Sequence, residues 1–359
     1  MSFTWGNNIK LTIYGESHGK GVGIIIDGIS SGNKLDYKQI KQELVRRKTK
    51  SIAGTTKRQE EDNFEIMSGI LNGKTNGGPI NVFFPNIDAK PKDYSEVKYK
   101  PRPSHADYPA NIKYNGYNDY RGGGFFSARL TAPIVFAGAV AKSILIYQNI
   151  KIYSHILKMG EYIHDLEFSD IKDFKILDDL NSNNRFMINK NEEDKAQKLL
   201  KVLTSEGDSI GAKIECMAIN LPVGLGEPYF NSIESDLSSL VFSIPGVKAI
   251  EFGLGEKFSE KKGSEANDEY RMVNSQVLTT QNNNGGILGG ITNGMPINLK
   301  VTFKPTSSIS KPQKTVNLDN MVNTTIALSG RHDACIAIRG RVVVEAVVAI
   351  VLLNFIKLS

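Results

Sequence analysis

Cysteine is scarce in this chain: 359 residues include only Cys216 and Cys335. They lie far apart, with no CxxC pair and no Cys/His ligand spacing. Neither a disulfide framework nor a metal site is supported, and reduced thiols in a cytoplasmic protein are expected. A long unbroken apolar run is also missing. The longest, Val342 to Ile356, is interrupted by Glu345 and Asn354 and falls short of the ~20 residues that span a bilayer, so a buried helix is expected and no membrane partner. Met1 to Gly6 has no basic segment leading into an apolar run, and no signal peptide is expected. With 40% hydrophobic and 23% charged residues the chain is not composed like a disordered protein.

The formal charge is +6, which suits an anionic ligand and equally suits solvated surface charge. Aromatics are not interleaved with Lys and Arg in an RNA-binding pattern, so no nucleic-acid partner is expected. The length allows one large domain or two ordinary ones.

Apolar periodicity predicts strands at Lys10 to Tyr14 and Val22 to Ile26, joined by Gly15-Glu16-Ser17-His18-Gly19-Lys20-Gly21. Ile40, Leu44 and Val45 then repeat at helical spacing, running into Arg46-Arg47-Lys48. Those cations suit either a helix C-terminus or an anion site. A second strand pair is read at Glu65 to Met67 and Ile80 to Phe84, followed by a long irregular segment from Lys90 to Pro103. Arg121-Gly122-Gly123-Gly124 leads into a helix rich in small residues from about Ser127 to Tyr147. Further on, Glu192 to Leu203 reads as a helix, Ala212 to Leu221 as a strand and Asp236 to Phe242 as a helix. Leu71 to Asn81 and Leu288 to Asn298 share Leu, Gly, Thr, Asn, Gly, Pro, Ile and Asn in register. Thr-Asn-Gly is a good turn, but the match extends beyond it, which predicts equivalent hairpins in two related half-structures.

Of the five histidines, His18, His105 and His332 neighbour glycine- or proline-rich loops and other ionisable groups, where general acids and bases are held. GESHGKG lacks the GxxxxGK(S/T) spacing of a P-loop and the GxSxG of a hydrolase elbow. Lys304-Pro305-Thr306-Ser307-Ser308 follows a predicted strand and offers an ammonium, three hydroxyls and backbone N–H groups, the equipment of a phosphate site or simply a polar turn.

GESHGKGVGIIIDG (15 to 28), the GxxSARxT pattern of Gly124 to Thr131, and RHDACIAIR (331 to 339) resemble three signature regions of the chorismate synthase family. RPSHADYPANIKY, GSEANDEY, NNNGGILGGITNGMPI and KPTSSI resemble it too, in the same order, so the resemblance covers nearly the whole chain as one domain, 1–359. It implies an α+β fold, a βαβ sandwich with helices packed between two antiparallel sheets, in a homotetramer. The implied reaction is the 1,4-anti elimination of phosphate and a ring proton from 5-enolpyruvylshikimate 3-phosphate, giving chorismate with reduced FMN as cofactor and NADPH as a possible flavin reductant.

Carried over residue by residue, the resemblance implies His18 as proton donor to the departing phosphate and His105 beside the flavin. Asp333 is implied near flavin N5, with Ser17 and Ser127 as relay hydroxyls. Ser127, Gly289, Lys304, Pro305, Thr306, Ser307, Ser308 and Arg331 are the implied FMN contacts, and Arg46, Arg47, Arg129 and Arg339 the substrate contacts. The chain departs from the family pattern at Phe125-Phe126, where Arg-Ser is usual, at Ala53, where an arginine is usual, and at Ala334 and Arg341. These departures keep open a second reading, a flavin-binding relative without elimination activity.

Overall fold

The structure is a computed structural model and describes residues 3–48, 52, 62–87, 96–171, 173–328 and 332–356. Lys10–Gly15 and Gly21–Asp27 pair antiparallel, with GESHGKG as their connection. Gly15 turns the chain at a φ of 92°, where a Cβ would lie 2.2 Å from the Gly21 carbonyl oxygen, so the hairpin closes only with glycine there. Along Gly21–Asp27 the side chains of Val22, Ile24 and Ile26 alternate into the interior. Ile80, Val82 and Phe84 do the same on the paired strand Ile80–Pro85. A slip of one residue would turn all of them to the wrong face, which fixes the register.

Two five-stranded sheets result, and every strand pairing in them is antiparallel. The first runs Thr4–Trp5, Lys10–Gly15, Gly21–Asp27, Ile80–Pro85, Glu65–Ser68 in spatial order; the second runs Val247–Phe252, Ile297–Phe303, Ala212–Ile219, Lys151–Met159, Ile163–His164. Between the sheets lie two helices, Thr131–Leu145 against the first sheet and Ala337–Phe355 against the second, packed on each other. Their sequences are predominantly apolar around the helix, as a position between two layers requires, with Lys142, Arg341 and Glu345 as buried charges. All of Thr131–Leu145 is buried except Ile134, and all of Ala337–Phe355 except Arg339 and Phe355. By length and composition Ala128–Gln148 would cross a membrane, yet 83% of its apolar window is buried inside this fold. The expected sandwich of helices between antiparallel sheets is therefore present, and Val342 to Ile356 is a buried helix as read. Both cysteines are buried free thiols, and burial pushes Cys335 up to about 12.

The paired hairpins prove to be equivalent. Ile70–Leu71 pairs with Lys74–Thr75, and Ile287–Leu288 with Ile291–Thr292; each hairpin feeds the strand at the same position of its sheet. Thr75 Oγ1 donates to the Ser30 carbonyl at 2.7 Å and accepts from Asn33 N at 2.9 Å. Thr292 Oγ1 donates to the Pro222 carbonyl at 2.6 Å and accepts from Leu225 N at 2.9 Å. Tyr37–Lys48 in the first half corresponds to Ile233–Val241 in the second, and the two inner helices close the two halves. Lys151–Met159 and Val247–Phe252 are among the strands that escaped the sequence reading. The first is buried along nearly its whole length and shows no alternation.

Gly138 stands where the inner helices meet. A Cβ there would lie 2.2 Å from Ala346 Cβ and 2.3 Å from Ala346 Cα. Helix propensity alone favours Gly138→Ala by about 1 kcal/mol. Overpacking against backbone opposes it by about 1–3 kcal/mol or more. The expected outcome is a lower urea midpoint for Gly138→Ala; a raised midpoint would contradict the close contact.

Candidate active site

Both halves contribute to one cavity of about 650 Å³. From the first half come His18, Arg47, Lys48 and Asp62, then Arg102 to Ala106 and Gly122 to Thr131. The second half supplies Phe242 to Lys248, Phe303 to Ser308 and residues between His332 and Val343. The N-terminal ends of both inner helices, at Ser127–Thr131 and Ile336–Gly340, open onto it. Two positive helix ends therefore face the same space.

Side-chain charge has the same sign. Arg47, Lys48, Arg102, Arg129, Lys248, Lys304 and Arg339 line the cavity, against the acids Asp62 and Asp333. Asp62 bridges Arg47 at 2.6 Å and Arg129 at 2.5 Å. Burial pushes its carboxyl up, but the two guanidiniums outweigh burial and hold it below the usual range. Asp333 accepts from Arg339 at 3.1 Å. Arg47 Nε and His332 Nε2 are buried with no hydrogen-bond partner among the described residues, so the wall retains donor capacity.

The glycine run lies between two imidazoles. Gly122 and Gly123 have φ of 59° and 86°. A Cβ on Gly122 would lie 2.2 Å from His18 Cε1, and one on Gly123 would lie 3.1 Å from His105 Cε1. Ser17 stands behind His18, its Oγ 3.1 Å from Nδ1. His105 Nδ1 is 2.6 Å from Asp107 Oδ1, and Arg102 binds both oxygens of the same carboxylate at 2.7 and 2.8 Å. Burial lowers the His105 pKa; Asp107 opposes this, and Arg102 adds to it.

The Lys304–Ser308 loop is fastened to this wall. Arg102 Nη1 donates to Ser308 Oγ at 3.0 Å, Ser307 Oγ donates to the Ser104 carbonyl at 2.8 Å, and Thr306 Oγ1 donates to the Asp333 carbonyl at 2.7 Å. Lys304 Nζ donates to the Ser104 carbonyl and to Ser307 Oγ. Its pKa is lowered by burial and then by Lys248 nearby. The arrangement is an anion receptor with two imidazoles, one against each of the consecutive residues Gly122 and Gly123.

Comparison with known proteins matches residues 9–356 to the chorismate synthase family model. The chain is 48% identical over 348 residues to a chorismate synthase of Pyrococcus abyssi, covering 97% of this chain and 95% of that one. It is 42% identical over 357 residues to a chorismate synthase of Dehalococcoides mccartyi, covering 98% and 96%. A crystal structure of chorismate synthase superposes with a TM-score of 0.75 at 27% identity, covering 98% of this chain and 92% of the other. The chain belongs to the chorismate synthase family. It is a carbon–oxygen lyase of the shikimate pathway.

Among the residues that the family resemblance pointed to, the cavity brings together His18, His105, Ser127, Arg47, Arg129, Lys304, Pro305, Thr306, Ser307, Ser308, Asp333 and Arg339. Arg46 is elsewhere. Its guanidinium is bound to Glu345 at 2.8 Å, Glu43 at 2.7 Å and Asn181 at 2.7 Å, inside a buried ion cluster with Lys142. Its neighbour Arg47, one residue on, takes the cavity side of the helix. Gly289 is the first residue of the tight turn in the second repeated hairpin and does not line the cavity. Arg341 is fully buried, with Nη2 3.3 Å from Asn184 Oδ1, so it supplies no charge to the cavity. Arg331 and Ala53 lie outside the described residues.

Phe125 and Phe126 do line the cavity, with centroids 4.7 Å apart, and Tyr114 meets Phe125 edge-on at 5.3 Å. Asp62, Asp107 and Lys248 were missed, while Lys48 was read within the basic cluster Arg46-Arg47-Lys48. Asp107 was visible within RPSHAD beside His105, whereas Lys248 is the extra residue of a β-bulge between Val247 and Ala249, which no sequence pattern signals.

Three imidazoles are expected to separate on titration. His105 and His332 are lowered, in both cases chiefly by burial. His155 is buried too, but lies between Glu215 at 3.0 Å and Asp165 at 3.2 Å; burial lowers it and the two carboxylates outweigh burial, leaving it raised. NMR of the ring carbons should place His105 and His332 below about 6.5 and His155 above it. Below that pH the unfolded chain binds protons that folded His105 and His332 do not, so their contribution to stability falls as pH falls. A reversed order of titration would contradict the assigned environments.

Proposed function

We propose that the chain converts 5-enolpyruvylshikimate 3-phosphate to chorismate by 1,4-anti elimination, with reduced FMN bound beside the substrate. The observation that carries this reading is the excess of cations around a cavity lined by two imidazoles, His18 and His105, at two converging helix N-termini. A substrate with two carboxylates and a phosphate, next to an anionic flavin, is prohibitively repulsive without such compensation. Volume also fits: ligand cavities run to roughly 300–1,000 Å³.

The residues present suit FMN. Phe125, Phe126, Ile336 and Val343 provide an apolar wall for a flat ring, and the Lys304–Ser308 loop with Arg102 provides cations and hydroxyls for its phosphate. When bound, reduced FMN supplies electron density that weakens the allylic carbon–oxygen bond. Around it, Arg47, Arg129 and Arg339 hold and orient the substrate anions. His18, backed by Ser17, gives a proton to the departing phosphate. His105 compensates negative charge on the flavin side. Asp333 serves the proton that leaves the ring, and Ser127 relays protons. The whole chain, 1–359, acts as one domain in a cytoplasmic homotetramer, with no nucleic-acid or membrane partner.

Anaerobic assay with dithionite-reduced FMN should release phosphate and chorismate in equal amounts. Flavin binding without phosphate release would instead favour the inactive relative. NADPH with oxidised FMN should give no turnover, since no separate reductase segment is visible in the chain. His18→Ala and His105→Ala should each lose about 10²- to 10⁴-fold in kcat with folding retained, and near-normal turnover of either would remove its role.

A further inference from the structure

We infer that Asp107 is a positioning residue: it holds the His105 ring with Nδ1–H turned away from the cavity, while Arg102 ties that carboxylate to the Lys304–Ser308 loop. The inference rests on the proposed place of His105 beside the flavin, but the geometry behind it is independent of any ligand.

His105 Nδ1 has two close neighbours, Asp107 Oδ1 at 2.6 Å and Arg102 Nη2 at 3.1 Å. They demand opposite tautomers. If Nδ1 carried a lone pair, it would accept from Arg102 but would stand 2.6 Å from a carboxylate oxygen with no proton between them. If Nδ1 carries the proton, it donates to Asp107, and Arg102 Nη2 still has Asp107 Oδ1 at 2.8 Å to donate to. The second arrangement leaves no repulsive contact between acceptors. It fixes the neutral ring as the Nδ1–H form, with an acceptor lone pair on Nε2 beside Gly123.

Asp107 is well suited to the role. Its side chain is 6% exposed, and it also accepts from Arg102 Nε at 2.7 Å and Arg102 N at 3.0 Å, so it is held by four hydrogen bonds. Burial pushes its carboxyl up, and the bonds from Arg102 and His105 more than reverse that, so it stays ionised. The charged groups acting on His105 are Asp107 and Arg102 on its own segment and Lys304, whose Nζ is bonded to the neighbouring Ser104 carbonyl. Two of the three are cations that oppose imidazolium formation. An anion beside Nε2 would offset them and allow the ring to take a second proton, so the same ring accepts at Nε2 in the free protein and donates there when a reduced flavin is bound. Arg102 Nη1, 3.0 Å from Ser308 Oγ, makes the loop part of the same bonded unit.

The test is a double-mutant cycle with Asp107→Asn, Asp107→Glu and His105→Ala. Asp107→Asn should lower kcat by about 10- to 100-fold, as loss of an outer partner of a functional imidazole does elsewhere. It should move the His105 NMR titration to lower pH and shift the alkaline limb of the kcat profile, where the protonated ring is lost, with it. Asp107→Glu should recover part of the loss. In the His105→Ala background, Asp107→Asn should cost less than threefold further. A full additional loss in that background, or an unmoved His105 titration in a folded Asp107→Asn protein, would overturn the inference. Should the wild type show no turnover, the proposed reaction fails while the NMR titration and tautomer still decide the role of Asp107.

Discussion

Everything in this structure depends on the contact between Gly138 and Ala346. Two largely apolar helices must pack on each other and on a sheet each, and the missing Cβ lets them approach so closely that Ala346 Cβ and Cα lie 2.2 and 2.3 Å from where it would stand. Held this closely, the two helices bring both their N-termini to one cavity. Each comes from one of two halves with the same strand order, so the site is a product of the repeat: matching positions at the ends of equivalent elements supply its wall.

Charge is then sorted by depth. Deep between the layers, Arg46, Lys142, Glu43 and Glu345 neutralise one another; burial pushes Glu345 up, and the Arg46 and Lys142 cations overcome it and keep it ionised. Such a cluster is costly to break rather than strongly stabilising when intact. At the cavity the balance is left positive, with Asp62 shared between two arginines and unable to neutralise the rest. The cavity is therefore left with the charge to accept anionic ligands.

Much of this was legible in the sequence, for physical reasons that differ by element. The hairpin at GESHGKG and the duplicated Thr-Asn-Gly turns were readable because local backbone demands, positive φ and a threonine bonded to a neighbouring loop, need particular residues. The inner helices were readable from apolar content. Lys151–Met159 was not, because a strand buried on both faces loses its alternation. At the site, motif likeness pointed to His18, His105 and the Lys304 loop, which line the cavity, and to both Arg46 and Arg47, of which Arg47 lines it and Arg46 does not. Adjacent residues on a helix point about 100° apart, and only packing tells which faces the cavity. Asp62 depends on two distant arginines, and the aim of Lys248 depends on a bulge, so neither had a local signal.

Binding of both ligands at the converging helix ends is the central claim. A crystal structure of the protein with FMN and 5-enolpyruvylshikimate 3-phosphate tests it most directly. The account predicts density for both in the cavity between Ser127–Thr131 and Ile336–Gly340, with His18 within hydrogen-bond distance of the substrate phosphate and His105 Nε2 facing the flavin. Flavin or substrate bound elsewhere, with this cavity holding only solvent, would contradict it.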